Sequence, residues 1–524
     1  MPKINIKNKL ITGTLILTCA AFLSRILGFF YRIYLSNVIG PEGIGLYQIV
    51  MPIYGLCFAI TVAGISTIIS KNVAENKGNT FKVLINGITI SLTITALIIV
   101  SLHILANPIA TFILGNSDCS SLLRLLTLSL PFGVVHVCIN AYYLGLKKTV
   151  IPGLSQLIEQ IIKIIAVILI IKFFLASGME IGAKIAIYGI IISEIASSVF
   201  CVFLCLKDNR KYMNGKISEL HPEFHTAKKL AITAFPLSVN KIMLSFLGTA
   251  EALLIPFMLQ KSGLSPEESL GVFGILTGMA FPFIMFPTTI VTSLANILLP
   301  DTAEANTSDN KSKISRNISL SLNFSLILGI LCTGIFLMYG LLIGNTVFGE
   351  PLAGNYIIIL SWLCPFIYLS TTFASILNGL GKIKTVFIHN VISVCIRISF
   401  VIFLIPEMGI SAYFCGLLSS EIMLSLLHLY QLDKYCKESE GLCHISFNSY
   451  EAILFPALTV TVCGSLSRHL SKYLMEFLDG KFDMSVKNCD ILTLLLSISM
   501  TIGFFVIVYL IKGKFKEIFK NKCS

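Results

Sequence analysis

Apolar stretches of about 20 residues, the length that spans a bilayer as a helix, follow one another along almost all of the 524-residue chain. Bounded by charged or Gly/Pro breaks, they predict fourteen transmembrane helices at roughly 10–37, 44–70, 81–106, 121–146, 150–173, 184–206, 229–259, 269–299, 314–344, 355–379, 385–405, 409–431, 448–468 and 489–511. No stretch is left that is long enough for a soluble domain. Lys3, Lys7 and Lys9 precede the first window in the manner of a cleaved leader. That window runs past Arg25 to about Ile39 without an A-x-A site, and Thr18 before Cys19 does not suit a lipobox. An uncleaved first helix is expected.

Composition agrees with this reading, since 55% of residues are hydrophobic and 13% charged, where soluble chains carry about 25% charged residues. The expected fold class is an all-α polytopic protein of the cell membrane. The basic residues orient it. With the N-terminus in the cytoplasm, 26 of the 39 Lys and Arg fall in inner segments and eight in outer ones, which obeys the positive-inside rule and puts both termini inside. Five remain within helices: Arg25, Arg32, Lys163, Lys241 and Arg397. Most of the fifteen cysteines sit in apolar segments, and no C-x-x-C occurs, so they read as packing residues. No metal spacing and no cofactor motif is present, and nothing points to nucleic acid.

The chain also repeats itself. "LSLPFGVVHVCINAYYLGLKKTV" (128–150) corresponds to "SWLCPFIYLSTTFASILNGLGKIKTV" (361–386), pairing Pro131 with Pro365 and Gly145 with Gly379. "SEI" at 193–195 recurs at 420–422, and "GLYQIVMPIYG" (45–55) resembles "GVFGILTGMAFP" (271–282). The expected organisation is a six-helix bundle at 1–206, a cytoplasmic linker at 207–228, a second bundle at 229–431, and two further helices with a basic tail at 432–524. Six is an even number, so both bundles enter from the same side. They are parallel repeats, an arrangement in which one bundle rocks against the other in alternating access.

Ionisable side chains at membrane depth are costly and mark function by default. At the ~1.5 Å rise of a helix, Arg25, Lys241, Arg397 and Lys163 all fall near the midplane, with Arg32 about 10 Å further out. Glu159 and Lys163 stand four residues apart, the spacing and order of a local ion pair. Arg32 reads as an interfacial residue, although its position also suits a gate. Arg25 and Lys241 occupy comparable places in the first helix of each repeat, so pseudo-symmetry sets them across a central cleft, with Arg397 as a third candidate. Glu251 suits a gate or a coupling-ion residue. Glu194 and Glu421 hold matching repeat positions and read as structural anchors, while His103, His136 and His389 read as packing or interface residues. A buried cationic pocket favours an anion, and guanidinium suits phosphate oxygens because it bonds bidentately.

The stretch "GTLILTCAAFLSRILGFFYRIYLSNVIGPEGIGLYQIVMPIYG" (13–55), followed by "GISTIISKNVAEN", resembles the amino-terminal signature of the stage V sporulation protein B-like polysaccharide exporters. These belong to the multidrug/oligosaccharidyl-lipid/polysaccharide superfamily, which also contains the lipid II flippases. The likeness of layout covers nearly the whole chain, with the sharp motif at about 13–77. The resemblance implies a V-shaped cleft lined by the first, second, seventh and eighth helices, with a basic cluster that grips a substrate diphosphate. It carries that role to Arg25 and Lys241. It further implies a groove for a polyprenyl tail on the last two helices, and lipid II for spore cortex peptidoglycan as the cargo. The second helix lacks an arginine found in some lipid II flippases; its polar residues are Gln48, Tyr54 and Thr61.

The expected function is therefore a flippase for a polyprenyl-diphosphate-linked glycan, in contact with membrane lipids. The energy source stays open between a coupling ion, Na+ or H+, and the membrane potential. The alternative is a cation-coupled exporter of drugs or other small molecules on the same fold, against which the absence of a midplane acid on the first helix argues. No enzyme is expected, because the outer loops are short and poor in catalytic constellations.

Overall fold

The computed structural model describes residues 6–75, 80–209, 224–438, 447–479 and 486–522, and every regular element among them is a helix. Among the described residues, eleven helices are long and apolar enough to cross a membrane, or twelve when the bent pair Asp118–Thr127 and Leu130–Gly145 is one span. The chain is an all-α, multi-pass membrane protein. The 58-residue Leu17–Ala74 holds a break, and the 27-residue Val150–Ala176 is a further apolar helix outside that set.

The first helix, α1 (Ile6–Ala74), breaks at Gly40, whose φ of 71° and ψ of 177° suit glycine alone. Pro41 then opens the second half, where a missing N–H costs nothing. Tyr31 and Leu35 before the break and Ile44 after it share one core with Val167 and Ile171 of α5 (Val150–Ala176) and Ile185 and Ala186 of α6 (Lys184–Asp208). Between them in sequence lie α2 (Thr80–Pro108), α3 (Asp118–Thr127) and α4 (Leu130–Gly145).

Packing divides the chain into two units, Met1–Gly278 with Val401–Ile410, and Met279–Phe400 with Ser411–Ser524. The first therefore includes α7 (Phe224–Lys261) and α8 (Pro266–Gly274), which open the second sequence repeat. Glycines explain that placement. A Cβ on Gly64 would meet Ser238 and the Ala234 carbonyl, one on Gly45 the Leu270 carbonyl, and one on Gly274 the Pro41 carbonyl. The hydroxyl of Thr249 adds a hydrogen bond to the Pro52 carbonyl, 2.9 Å. Sequence correspondence and packing thus draw different lines. Of the expected linker, residues 210–223 lie outside the described residues, as do the last two residues of the tail and the first five of the chain.

The second unit continues through α9 (Phe281–Met285), α10 (Thr288–Thr307), α11 (Lys311–Ile343), α12 (Pro351–Leu360) and α13 (Cys364–Gly379). It also holds most of α14 (Ile383–Phe403) and nearly all of α16 (Ile410–Lys437), while the short α15 (Ile405–Met408) belongs to the first unit. Ile314, Ile318, Phe373, Ile376 and Leu432 centre its core. The last helices, α17 (Phe455–Asp479) and α18 (Val486–Lys522), are tied to α11 by Tyr339. Its hydroxyl donates to the Gly464 carbonyl at 3.1 Å and lies 3.2 Å from Thr501 Oγ1.

The repeat recurs in the contacts inside each unit. Ser91 receives the Cys138 thiol at 3.9 Å, and Ser325 meets Thr372 at 3.0 Å, the same pair of positions one repeat later. Gly145 packs on Ser70 and Val73, and its counterpart Gly379 packs on Leu299 and Thr302. Twelve of the described cysteines are free thiols, eight of them buried. Cys436 is disulfide-bonded, a departure from the packing role read for the cysteines.

Candidate functional site

The membrane-embedded charges fall into three groups. The first lies along α1 and α7. Arg25 and Arg32 are both exposed on the first half of α1, Arg25 one turn from Gly28, whose open side faces Gln160 of α5. Lys241 of α7 donates its ammonium to the Ala63 carbonyl at 3.2 Å and to Thr67 Oγ1 at 3.4 Å. Both partners are neutral and both sit on the second half of α1. The Gly64–Ser238 approach, one turn away, brings α7 close enough for that reach. Lys241 makes no ion pair among the described residues, so its charge is hydrogen-bonded and not neutralised. Glu251, ten residues further along α7, is buried.

The second group joins α14 and α16. Arg397 Nη1 lies 3.5 Å from Glu421 Oε1, with both side chains largely buried, and 3.4 Å from Ser393 Oγ. Ser370 of α13 donates to the other oxygen of Glu421 at 3.3 Å. Arg397, considered from its depth as a ligand for the substrate, is thus held by the residue read as an anchor of the same bundle.

The third group lies inside the first unit. Lys163 Nζ is 3.3 Å from Glu159 Oε1 on α5. Glu194 of α6 meets His136 of α4, Oε2 to Nδ1, at 3.3 Å. Gly133, one turn before His136, leaves the space that Glu194 enters, since a Cβ there would meet both its carboxylate and Phe58. The far nitrogen of His136, Nε2, lies 2.7 Å from Ser155 Oγ. Sequence reasoning placed His136 among packing residues. Its contact with Glu194 spans two helices, and spacing within one helix carries no signal for it.

The comparisons with known proteins bear on what such a chain does. Residues 10–300 match the model of a family described as polysaccharide biosynthesis protein. Stage V sporulation protein B of Bacillus subtilis (strain 168) is 24% identical over 478 residues, covering 89% of this chain and 90% of that one. Lipid II flippase MurJ of the same organism is 26% identical over 423 residues, 75% of this chain and 76% of that one. Among solved structures, lipid II flippase MurJ in an inward closed conformation superposes with a TM-score of 0.67 at 15% identity, covering 94% of this chain and 99% of that chain. A multidrug resistance MATE family transporter in its inward-facing conformation gives 0.65 at 14% identity, covering 80% and 95%. The two structures establish the fold as the one that lipid II flippases and MATE transporters share. With more than half of its length matched by the family model, the chain is a member of the polysaccharide biosynthesis protein family.

Proposed function

We propose that this protein is a flippase that carries a polyprenyl-diphosphate-linked glycan across the cytoplasmic membrane by alternating access, with lipid II for the spore cortex as the cargo. The observation that carries this reading is the ammonium of Lys241, which among the described residues is bonded to a carbonyl and a hydroxyl of α1 and to no carboxylate. Placing a lysine at the centre of a bilayer costs roughly 2.5–3.5 kcal/mol. A cation kept there without a carboxylate partner is suited to an anionic ligand. Arg25, exposed on the same helix that Lys241 contacts, supplies a guanidinium able to bond two phosphate oxygens at once.

Arg397 takes a lesser part, because its guanidinium is already engaged with Glu421 in a largely buried site. Helices α17 and α18, anchored on Tyr339, offer apolar surface for the lipid tail. Both termini lie in the cytoplasm, and chemistry on the cargo is left to other proteins. The relatives named above support the substrate class, since one is a lipid II flippase by name and another a sporulation protein.

Native mass spectrometry of the purified full chain with lipid II tests the reading directly. Wild type retains the lipid, and Arg25→Ala and Lys241→Ala lose it while remaining folded. Equal retention by all three proteins removes the diphosphate clamp.

A further inference from the structure

The third group of charges has an electrostatic imbalance that its counterpart in the second unit lacks. His136 lies five residues beyond Pro131, and Ser370 lies five beyond Pro365, so the two hold the same repeat position. Each faces the repeat-matched glutamate, Glu194 or Glu421, at 3.3 Å. In the second unit one carboxylate, Glu421, meets one fixed cation, Arg397. In the first unit two carboxylates, Glu159 and Glu194, lie with His136 so that donor atoms of all three fall within 4.8 Å of one another. The fixed cation in contact there is Lys163. Among the described residues of this contact set, His136, which is 6% exposed, is the one able to supply a second positive charge.

The hydrogen bonds around His136 tolerate that charge. With a neutral ring, Nδ1–H donates to Glu194 and Nε2 accepts from the Ser155 hydroxyl. With a charged ring, Nε2–H donates to Ser155 Oγ, whose own proton turns to Ser197 Oγ, 3.3 Å away. Ser197 in turn reaches the Ser155 carbonyl at 3.2 Å, and Asn140 donates to Ser155 Oγ at 3.0 Å in both cases. One hydroxyl rotation, at Ser155, therefore separates the states, and neither leaves a buried donor or acceptor unsatisfied. The groups facing His136 are Glu194 from α6 and Glu159 and Lys163 from α5, with the buried Tyr54 of α1 close to the two carboxylates. Helix α2 contributes the neutral Ser91 beside Cys138; α3 carries two charged residues, Asp118 in its first turn and Arg124, which bonds Asn107.

We infer that His136, Glu194 and Glu159 form a proton-binding site inside the first unit, in which one proton moves on and off the His136 imidazole. As a coupling device the site rests on the transport reading above; as a proton site it does not. Loading forms one N–H bond on His136, breaks one O–H bond of a hydronium ion and releases one water molecule. A proton that binds in one conformation and leaves in the other ties the flipping cycle to the pH gradient, since a shift in population requires that difference in affinity.

Two measurements separate these claims. Solid-state 15N NMR of histidine-labelled protein in liposomes, with the His136→Gln spectrum identifying the resonance, reports protonation without any substrate. The expected result is that acidification converts the His136 resonance from the neutral to the charged form. A resonance that keeps one form throughout, or that responds to sodium at constant pH, overturns the proton site. The second measurement is flipping of lipid II in proteoliposomes under an imposed pH gradient. Wild type accumulates lipid II on one side; His136→Gln and Glu194→Gln equilibrate it without accumulation. Accumulation undiminished in both variants overturns the coupling, whereas absence of flipping in wild type counts against the transport reading and leaves the NMR result standing.

Discussion

Lys241 donates to the main-chain carbonyl of Ala63 at 3.2 Å, a bond between residues 178 positions apart. A main-chain carbonyl holds an ammonium in place without cancelling its charge, and so leaves that charge for a ligand. Lys241→Met keeps the length and removes the charge. It should weaken lipid II binding about 10- to 100-fold, the loss of one charge-assisted contact of ~1.5–3 kcal/mol, with no fall in melting temperature. Native mass spectrometry beside a thermal shift assay checks both parts. Arg25→Ala should behave alike and Arg32→Ala should bind as wild type does.

The contact of α7 with α1 depends on Gly64. Gly64→Val places side-chain atoms against the Ala234 carbonyl, which cannot move aside as a side chain can. A cost of about 1–3 kcal/mol is expected, visible as a lowered melting temperature. Ser238→Gly should not rescue it, because the main-chain obstacle stays. Gly55→Ala, with open space at its Cβ, serves as the neutral control.

Arg397 and Glu421 should show strong coupling in a double-mutant cycle. Glu421→Gln alone leaves a largely buried guanidinium without its charge partner and should cost about 3–5 kcal/mol. Arg397→Met with Glu421→Gln should cost less than the sum of the single changes. Additive effects in thermal unfolding would show that the pair is not an energetic unit.

Beyond the end of the 269–299 span, the Asp301 carboxyl is held below its ordinary range, first by a hydrogen bond from Lys313 and then by one from Asn317. The distances are 2.8 Å and 2.9 Å. A carboxyl with a depressed folded value contributes stability above its unfolded value, and that contribution is lost as pH falls through the folded value. Acidification below about pH 4 should therefore lower the melting temperature of wild type more steeply than that of Asp301→Asn. Parallel curves would show that the group contributes nothing.

How far the sequence could be read differs from element to element. The apolar windows follow the helices because a membrane span must be both long and apolar. Gly40-Pro41 marks the break in α1 because glycine and proline leave few other readings. Glu159 and Lys163 are in contact at their helical spacing, which a single segment encodes. The bond from Lys241 to Ala63, and the meetings of Arg397 with Glu421 and of His136 with Glu194, were not legible in that way. Each depends on how one helix is rotated against another, and that rotation is set by packing of the kind seen at Gly64 and Gly133. The repeat held part of the missing signal, since aligning Pro131 with Pro365 sets His136 opposite Ser370. Packing places α7 in the same unit as α1, its counterpart in sequence.

The most direct test of the transport reading is translocation of fluorescent lipid II in proteoliposomes holding the purified full chain, wild type beside Lys241→Met and Arg25→Ala. Wild type is predicted to move the lipid between leaflets and both variants to fall to the rate of empty liposomes. Wild-type vesicles no faster than empty ones, or variants as fast as wild type, would contradict the account.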